Sequence, residues 1–368
     1  MMFSIVAIAA VSDIFRCNLA YRKCIGIAIS IMIIFLAGIR WRTGTDWDPY
    51  LYIFSNGSSF NSFMSQGYET IFLLMNFIVK SLYDSYTFYL FVIAFIVVWC
   101  KYSTFFKISD YPLVCILASL SFYSMDLFTV RQGIAIAITI FSMRYIIPGN
   151  ESKSKFLLTV AVASGFHITA LIFIPAYFIF RMKTSVGRVI LFTCIAAAIS
   201  IAFSAADILS ISTNYLPHFV GEKINRYLSL QDADAFSEIP SETRRALGYA
   251  KRIIFVIAFA WATNGITNER AKGILRGMFN LFAFSSIMYM LLDSVHPVFS
   301  RLAMYYSAAE VFLICSFLYR FKKDAGILIV YFVIIVYLLS RLYYGFGNHP
   351  DLFYPYESIF DTTWKLVY

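Results

Sequence analysis

CIGIAISIMIIFLAGIRWRTGTDWDPYLYIF, residues 24–54, changes character once: it is apolar over 24–39 and then turns to arginine, tryptophan and aspartate. At about 1.5 Å rise per residue, a helix over the apolar part, with its interfacial ends, approaches the roughly 30 Å of hydrocarbon in a bilayer. Trp41, Trp47 and Tyr50 are residue types that settle at a membrane–water boundary. The stretch reads as a membrane helix that ends in a polar loop. The rest of the chain repeats the first half of that pattern.

Of the 368 residues 60% are hydrophobic and only 14% charged, with a mean hydropathy of +0.72. A soluble domain carries about 25% charged residues, so a water-soluble fold is excluded. Apolar runs occur at 1–12, 24–39, 69–83, 86–101, 111–124, 129–147, 156–180, 188–206, 252–265, 275–292, 299–319 and 325–344. They predict an all-α, polytopic transmembrane helical bundle of roughly 11–13 membrane segments, one integral membrane domain over 1–368. The run at 1–11 precedes Arg16, Arg22 and Lys23, the reverse of a signal peptide's charge order, and is expected to be a retained short first helix. A net charge of +9 would suit nucleic acid, but the basic residues sit in short loops between apolar runs, so no nucleic acid is expected. The six cysteines show no CxxC spacing and read as packing or lipid-facing residues.

Loops rich in Lys and Arg, at 16–23, 181–188, 270–276 and 320–323, are expected on the cytoplasmic side. The N-terminus, the loop 40–68, the long loop 207–250 and the C-terminal tail then fall on the opposite side, the periplasm of a bacterium. Lys101, Lys107, Arg144, Lys153 and Lys155 also look cytoplasmic, and a dozen simple crossings cannot satisfy every loop. Either the charge bias is broken in two loops or some segment does not span. The candidates for the second case are 69–83, headed by Glu69, and 156–180, which Gly165 and His167 split into two arms; broken helices are tolerated where they line a polar cavity. Residues 220–230 are a candidate interfacial helix.

Four stretches carry candidate chemistry. In 35–54, Arg40 and Arg42 lie on the side where the charge rule does not want them, with Asp46, Asp48 and Tyr50 close behind. The bland reading is an aromatic belt with ordinary interfacial charges; the functional one uses arginine's planar fork on phosphate and a nearby carboxylate as base. FTVRQGIAIAI, 128–138, puts Arg131 and Gln132 at a helix start, which favours an anion unless the charge merely snorkels to the interface. SGFHITALIFIP, 164–175, holds a lone His167, either a satisfied core residue or a functional intramembrane ionisable group. DSVHPVFSRLAMYY, 293–306, offers Asp293, His296, Arg301 and Tyr305. Asp46 with Asp48, and Asp232 with Asp234, have a spacing that can hold a divalent cation, but two residues are a weak signal and no metal is assigned. No Gly-rich phosphate loop, kinase signature or G-x-S-x-G elbow occurs, which argues against ATP use and serine hydrolysis.

In order, AGIRWRTGTDWDPY, GYE at 67–69, VRQGIAIAI, FHITALI and the pair Arg301 and Tyr305 resemble the EpsG-like branch of the Wzy polysaccharide polymerases, over about residues 30–310. The resemblance implies a glycosyltransferase that needs no cofactor and joins lipid-linked repeat units of O-antigen or capsule on the periplasmic face. Its donor and acceptor would be undecaprenyl-diphosphate-linked oligosaccharides in membrane lipid, with a chain-length regulator as a further partner. Displacing a lipid diphosphate needs charge neutralisation, for which Arg40, Arg42, Arg131 and Arg301 are candidates, with Tyr50, Gln132, His296 and Tyr305 as further substrate contacts. The attacking hydroxyl needs a base, and Asp46, Glu69 and His167 are the candidates. A flippase for the same lipids, without chemistry, and a ligase acting on the finished glycan remain rivals; internal repeats, which would favour a transporter, are not evident.

Overall fold

The computed structural model describes residues 2–44, 47–122, 130–202, 242–295, 297–321, 326–347 and 355–361. Their regular structure is helical apart from one isolated bridge between Arg40 and Ser358. Among the described residues six helical stretches are long and apolar enough to cross a membrane: Leu19–Gly38, Tyr86–Ile108, Arg245–Asn264, Glu269–Asp293, Arg301–Arg320 and Ile327–Gly347. The all-α polytopic expectation therefore holds.

Helices α1 (Met2–Ile14) and α2 (Leu19–Gly38) form the first pair, with α2 capped by the Asn18 side chain. The segment 40–68, read as loop, contains α3 (Trp47–Asn56) and α4 (Phe60–Met64). Trp47, Tyr50 and Phe54 fall at helical spacing and are buried, so this aromatic stripe folds onto the bundle. Next come α5 (Thr70–Leu82), α6 (Tyr86–Ile108), α7 (Pro112–Phe122), α8 (Arg131–Ser142) and α9 (Lys153–Ser164). Helix α6 outruns the expected 86–101 because Lys101 does not end it: its side chain is buried within the helix packing. A 3₁₀ turn at Ile168–Phe173 leads to α10 (Ala176–Ile179), α11 (Val186–Ala202), α12 (Glu242–Asn264) and α13 (Glu269–Val295). The expected 299–319 helix is interrupted, as α14 (Pro297–Ser300), a 3₁₀ turn Arg301–Ala303, α15 (Met304–Ser307) and α16 (Glu310–Arg320), before α17 (Ile327–Gly347). Of the long loop 207–250, residues 242–250 belong to α12, and the candidate interfacial helix 220–230 lies outside the described residues.

Helices α7, α8 and α16 form the centre: Leu113 through Ala118 and Ile134 through Ala137 are wholly buried. Helices α2 and α17 turn Ile31, Phe35, Phe332 and Val333 outward, where lipid rather than water must cover them. Cys100, Cys115 and Cys315 are buried, Cys24 and Cys194 exposed and Cys17 intermediate, all as free thiols.

Contacts sort the bundle into two ends. At the basic end, Arg22 pairs with Asp13 at 3.1 Å and donates to the Asp110 carbonyl at 2.8 Å, while Arg144 Nε donates to Thr104 at 2.9 Å. Lys23, Lys107 and Arg144 line one cleft there. Arg276 reaches the Thr184 carbonyl at 3.1 Å, and the Asp110 amide donates to the Tyr319 hydroxyl at 3.3 Å. At the other end the C-terminal tail closes on α2, with the Trp41 amide donating to Glu357 O and the Ile359 amide to Ile39 O, each at 2.9 Å.

This arrangement resolves the conflict among the basic loops. Helix α5, 13 residues and so about 20 Å long, has both ends at the far end: Glu69 heads it beside Arg131, and Lys80 near its close donates to the Phe54 and Ser55 carbonyls. It does not cross. The segment 153–179 doubles back, stacking Phe156 of α9 against Phe173 and Tyr177 on the returning arm at 6.0 and 5.7 Å. The non-crossing helix brings Lys107, Arg144 and the start of α9 to the same end as 16–23, and the folded pair returns the chain to that end at 181–188. The charge rule then needs no exception in these loops.

Candidate active site

At the end opposite the basic loops, α5 begins with Glu69 in extended conformation as its N-cap residue, immediately after Gly67, whose φ of +76° is left-handed, and Tyr68. Arg131 is the first residue of α8. Its Nη1 donates to Glu69 Oε2 at 2.7 Å and its Nε to the Tyr50 hydroxyl at 3.0 Å, while its guanidinium lies over the Tyr68 ring at 4.6 Å. The second Glu69 oxygen accepts the Ile168 amide at 3.2 Å. Both carboxylate oxygens are thus fixed, by groups from two other segments. Burial pushes the Glu69 carboxyl up, but the hydrogen bonds and the charge of Arg131 outweigh it and hold it below the ordinary range. Glu69 is an oriented, ionised carboxylate.

The break between the arms of 153–179 supplies a second group. His167 caps the 3₁₀ turn, its Nδ1 accepting the Thr169 amide at 3.4 Å and lying 2.7 Å from Thr169 Oγ1, which is in turn 2.8 Å from the buried Tyr305 hydroxyl. An amide can only donate, so Nδ1 carries no hydrogen, and the relay runs Tyr305 to Thr169 to His167. The neutral ring then carries its proton on Nε2. Burial lowers the His167 pKa, the negative Glu69 opposes that and Arg131 reinforces it; the net direction is down, so the ring is neutral near pH 7. At that pH His167 presents an N–H donor.

Gly165 makes the junction possible. Its carbonyl accepts the Phe72 amide at 3.0 Å, and an added Cβ would lie 2.3 Å from Ile71 Cδ1 and 2.9 Å from Ile71 Cβ. Gly165→Ala is expected to push α5, and Glu69 with it, away from Ile168, at a cost of about 1–3 kcal/mol. Thermal unfolding in detergent should show the loss, and Ile71→Ala in the same chain should restore most of it.

Of the residues singled out in the sequence, the structure brings together Tyr50, Glu69, Arg131, His167 and Tyr305. Gln132 sits half-buried next to Arg131. Arg40 is buried where the C-terminal tail pairs with it, and Arg42 is exposed with a left-handed φ of +47°. Arg301 opens a 3₁₀ turn with its own side chain exposed, while Ala303 at the turn's close is buried. Asp293 is buried against Arg245 at 3.6 Å and the Tyr249 hydroxyl at 3.3 Å. Asp46 and His296 lie outside the described residues. Thr169 was missed although it stands two residues after His167; a hydroxyl at that spacing from a capping side chain is a local signal. Tyr68 was passed over as part of GYE.

No curated protein and no solved structure matches the chain. The EpsG family model matches residues 23–358, a span that contains every member of the two clusters. Because that match takes in nearly the whole chain, from early in α2 to the tail residue that pairs with Arg40, the protein belongs to the EpsG family, a family of Wzy-type polymerases.

Proposed function

We propose that this polymerase-like glycosyltransferase moves a glycan from undecaprenyl diphosphate to the non-reducing end of an incoming lipid-linked repeat unit, at the periplasmic face of the inner membrane. The C1–O bond to the diphosphate breaks, the bond from C1 to the acceptor oxygen forms, and the acceptor hydroxyl gives its proton to Glu69. The departing diphosphate needs neutralisation more than a proton, and the Nε2–H of His167 donates to it in this reading. Two of the donor groups of Arg131 are engaged by Glu69 and Tyr50, so its part is to orient Glu69 and keep it ionised. The observation that carries this reading is the pairing of a fixed, ionised carboxylate with a neutral imidazole donor one residue from the amide that holds it.

A base that is ionised at neutral pH serves a late proton transfer, which suits displacement with oxocarbenium character. His167→Ala should lower kcat on the order of 10²-fold, the loss expected for one donor to a developing charge. His167→Asn, which keeps a cap acceptor and an N–H, should lose less. The measurement is polymer ladder formation by purified protein in proteoliposomes given one defined lipid-linked repeat unit. A ladder supports the reading; unextended substrate in the presence of folded wild-type protein overturns it.

Orientation has its own test. Cysteine at the exposed Ser58 should react with an impermeant thiol reagent in intact cells, and cysteine at the exposed Glu151, at the basic end, only after lysis. The reverse pattern would place the site on the cytoplasmic face.

A further inference from the structure

On the other side of α15 from the His167 relay lies a second cavity, of about 170 Å³. Tyr305 of that short helix meets Thr169, whereas Met304 and Ser307 line the cavity together with Lys251 and Arg252 of α12, Glu310 of α16 and Arg341 of α17. Three cations against one carboxylate leave a net charge of +2 (3 − 1) in a space walled by Phe255 and Phe282. Glu310 already accepts the Tyr337 hydroxyl at 3.2 Å, and the nearby Asp293 is committed to Arg245. Arg252 stacks on the Tyr289 ring at 3.4 Å, and the buried Nε of Arg341 has no hydrogen-bond partner. Among the described residues none of the three cations has an ion-pair partner within 4.0 Å.

Like charges gathered in a low-dielectric space are costly unless an anion joins them. Two guanidiniums and an ammonium converging on a cavity larger than several waters suit the oxygens of a phosphate or diphosphate, and the aromatic wall suits an attached hydrocarbon. We propose that this cavity binds the diphosphate of the polyprenyl-linked acceptor, on the side of α15 away from the His167 relay that meets the donor's leaving group. The anion follows from the charges; its being a lipid headgroup rests on the polymerase reading.

The test is equilibrium binding of radiolabelled farnesyl diphosphate and inorganic diphosphate to the full chain in nanodiscs. Arg252→Gln and Arg341→Gln should each weaken farnesyl diphosphate binding by about tenfold or more, as expected for lost charge-assisted hydrogen bonds. Glu310→Gln, which removes the competing negative charge, should tighten it, an effect that misfolding cannot mimic. Unchanged affinity in both arginine variants, or weaker binding in Glu310→Gln, overturns the site. Equal affinity for inorganic and farnesyl diphosphate overturns the lipid headgroup as its occupant. Glu69→Gln should bind farnesyl diphosphate like wild type while forming no polymer, so the failure of the cavity and the failure of the polymerase reading are separable.

Discussion

Glu69→Gln is expected to reduce polymer formation about 10³-fold, within the range general-base assistance provides. The substitution keeps shape and can still accept the Ile168 amide, but it removes the charge that Arg131 holds in place. With side-chain exposures of 23% for Arg131 and 17% for Glu69, the pair lies between a surface ion pair and a buried one. Its loss should therefore cost only about 1–3 kcal/mol of stability. A 10³-fold loss of rate is about 4 kcal/mol at the barrier, so the catalytic effect exceeds the structural one and is read in protein that still folds. Near-wild-type ladders from Glu69→Gln would remove it as the base and direct attention to Asp46.

Arg131→Gln should be nearly as damaging, on the order of 10²- to 10³-fold, because a carboxylate no longer held in register is misplaced for attack. The double variant with Glu69→Gln should be little worse than either single one, since the two residues act as a unit. Arg131 also sets a pH signature. In the wild type the acid limb of kcat/KM should lie below the ordinary carboxylate value of about 4.3, and in Arg131→Gln it should move upward, because the charge that depresses Glu69 has gone and burial still raises it. A limb that stays put in the variant would show that the titrating base is not Glu69. Additive losses would show that Arg131 acts elsewhere, for instance on the diphosphate.

The bundle was legible because its cause is composition: apolar runs of spanning length can do little else. The non-crossing helix and the broken segment were also legible as candidates, since Glu69 at the head of 69–83 and Gly165 with His167 inside 156–180 violate the pattern of a plain span. What decided between them was contact. Lys80 reaching back to Phe54 and Phe156 stacking on Phe173 are meetings of residues far apart in the chain, and periodicity is silent on those. Helix α3 was missed because its aromatic stripe is shorter than a span and reads equally as an interfacial belt. In the site, residue types identified Glu69, Arg131 and His167, but their roles came from geometry. By residue type Arg131 is a phosphate clamp, whereas its guanidinium is held by Glu69 and Tyr50, and the tautomer of His167 depends on an amide two residues on. The basic cavity had one sequence signal, Arg341 alone in the apolar run 325–344, because a charge inside such a run points to a partner within the bundle.

The account stands or falls on displacement of a lipid diphosphate by a sugar hydroxyl. Proteoliposomes supplied with a defined repeat unit, labelled in both glycan and lipid, allow released polyprenyl diphosphate to be counted against glycosidic bonds formed, alongside the movement of intact lipid-linked glycan across the bilayer. The predicted result is one released diphosphate per new bond and no net translocation, with both products lost in Glu69→Gln. Translocation of intact substrate with no bond formed and no diphosphate released would contradict it and make the protein a carrier of lipid-linked glycans.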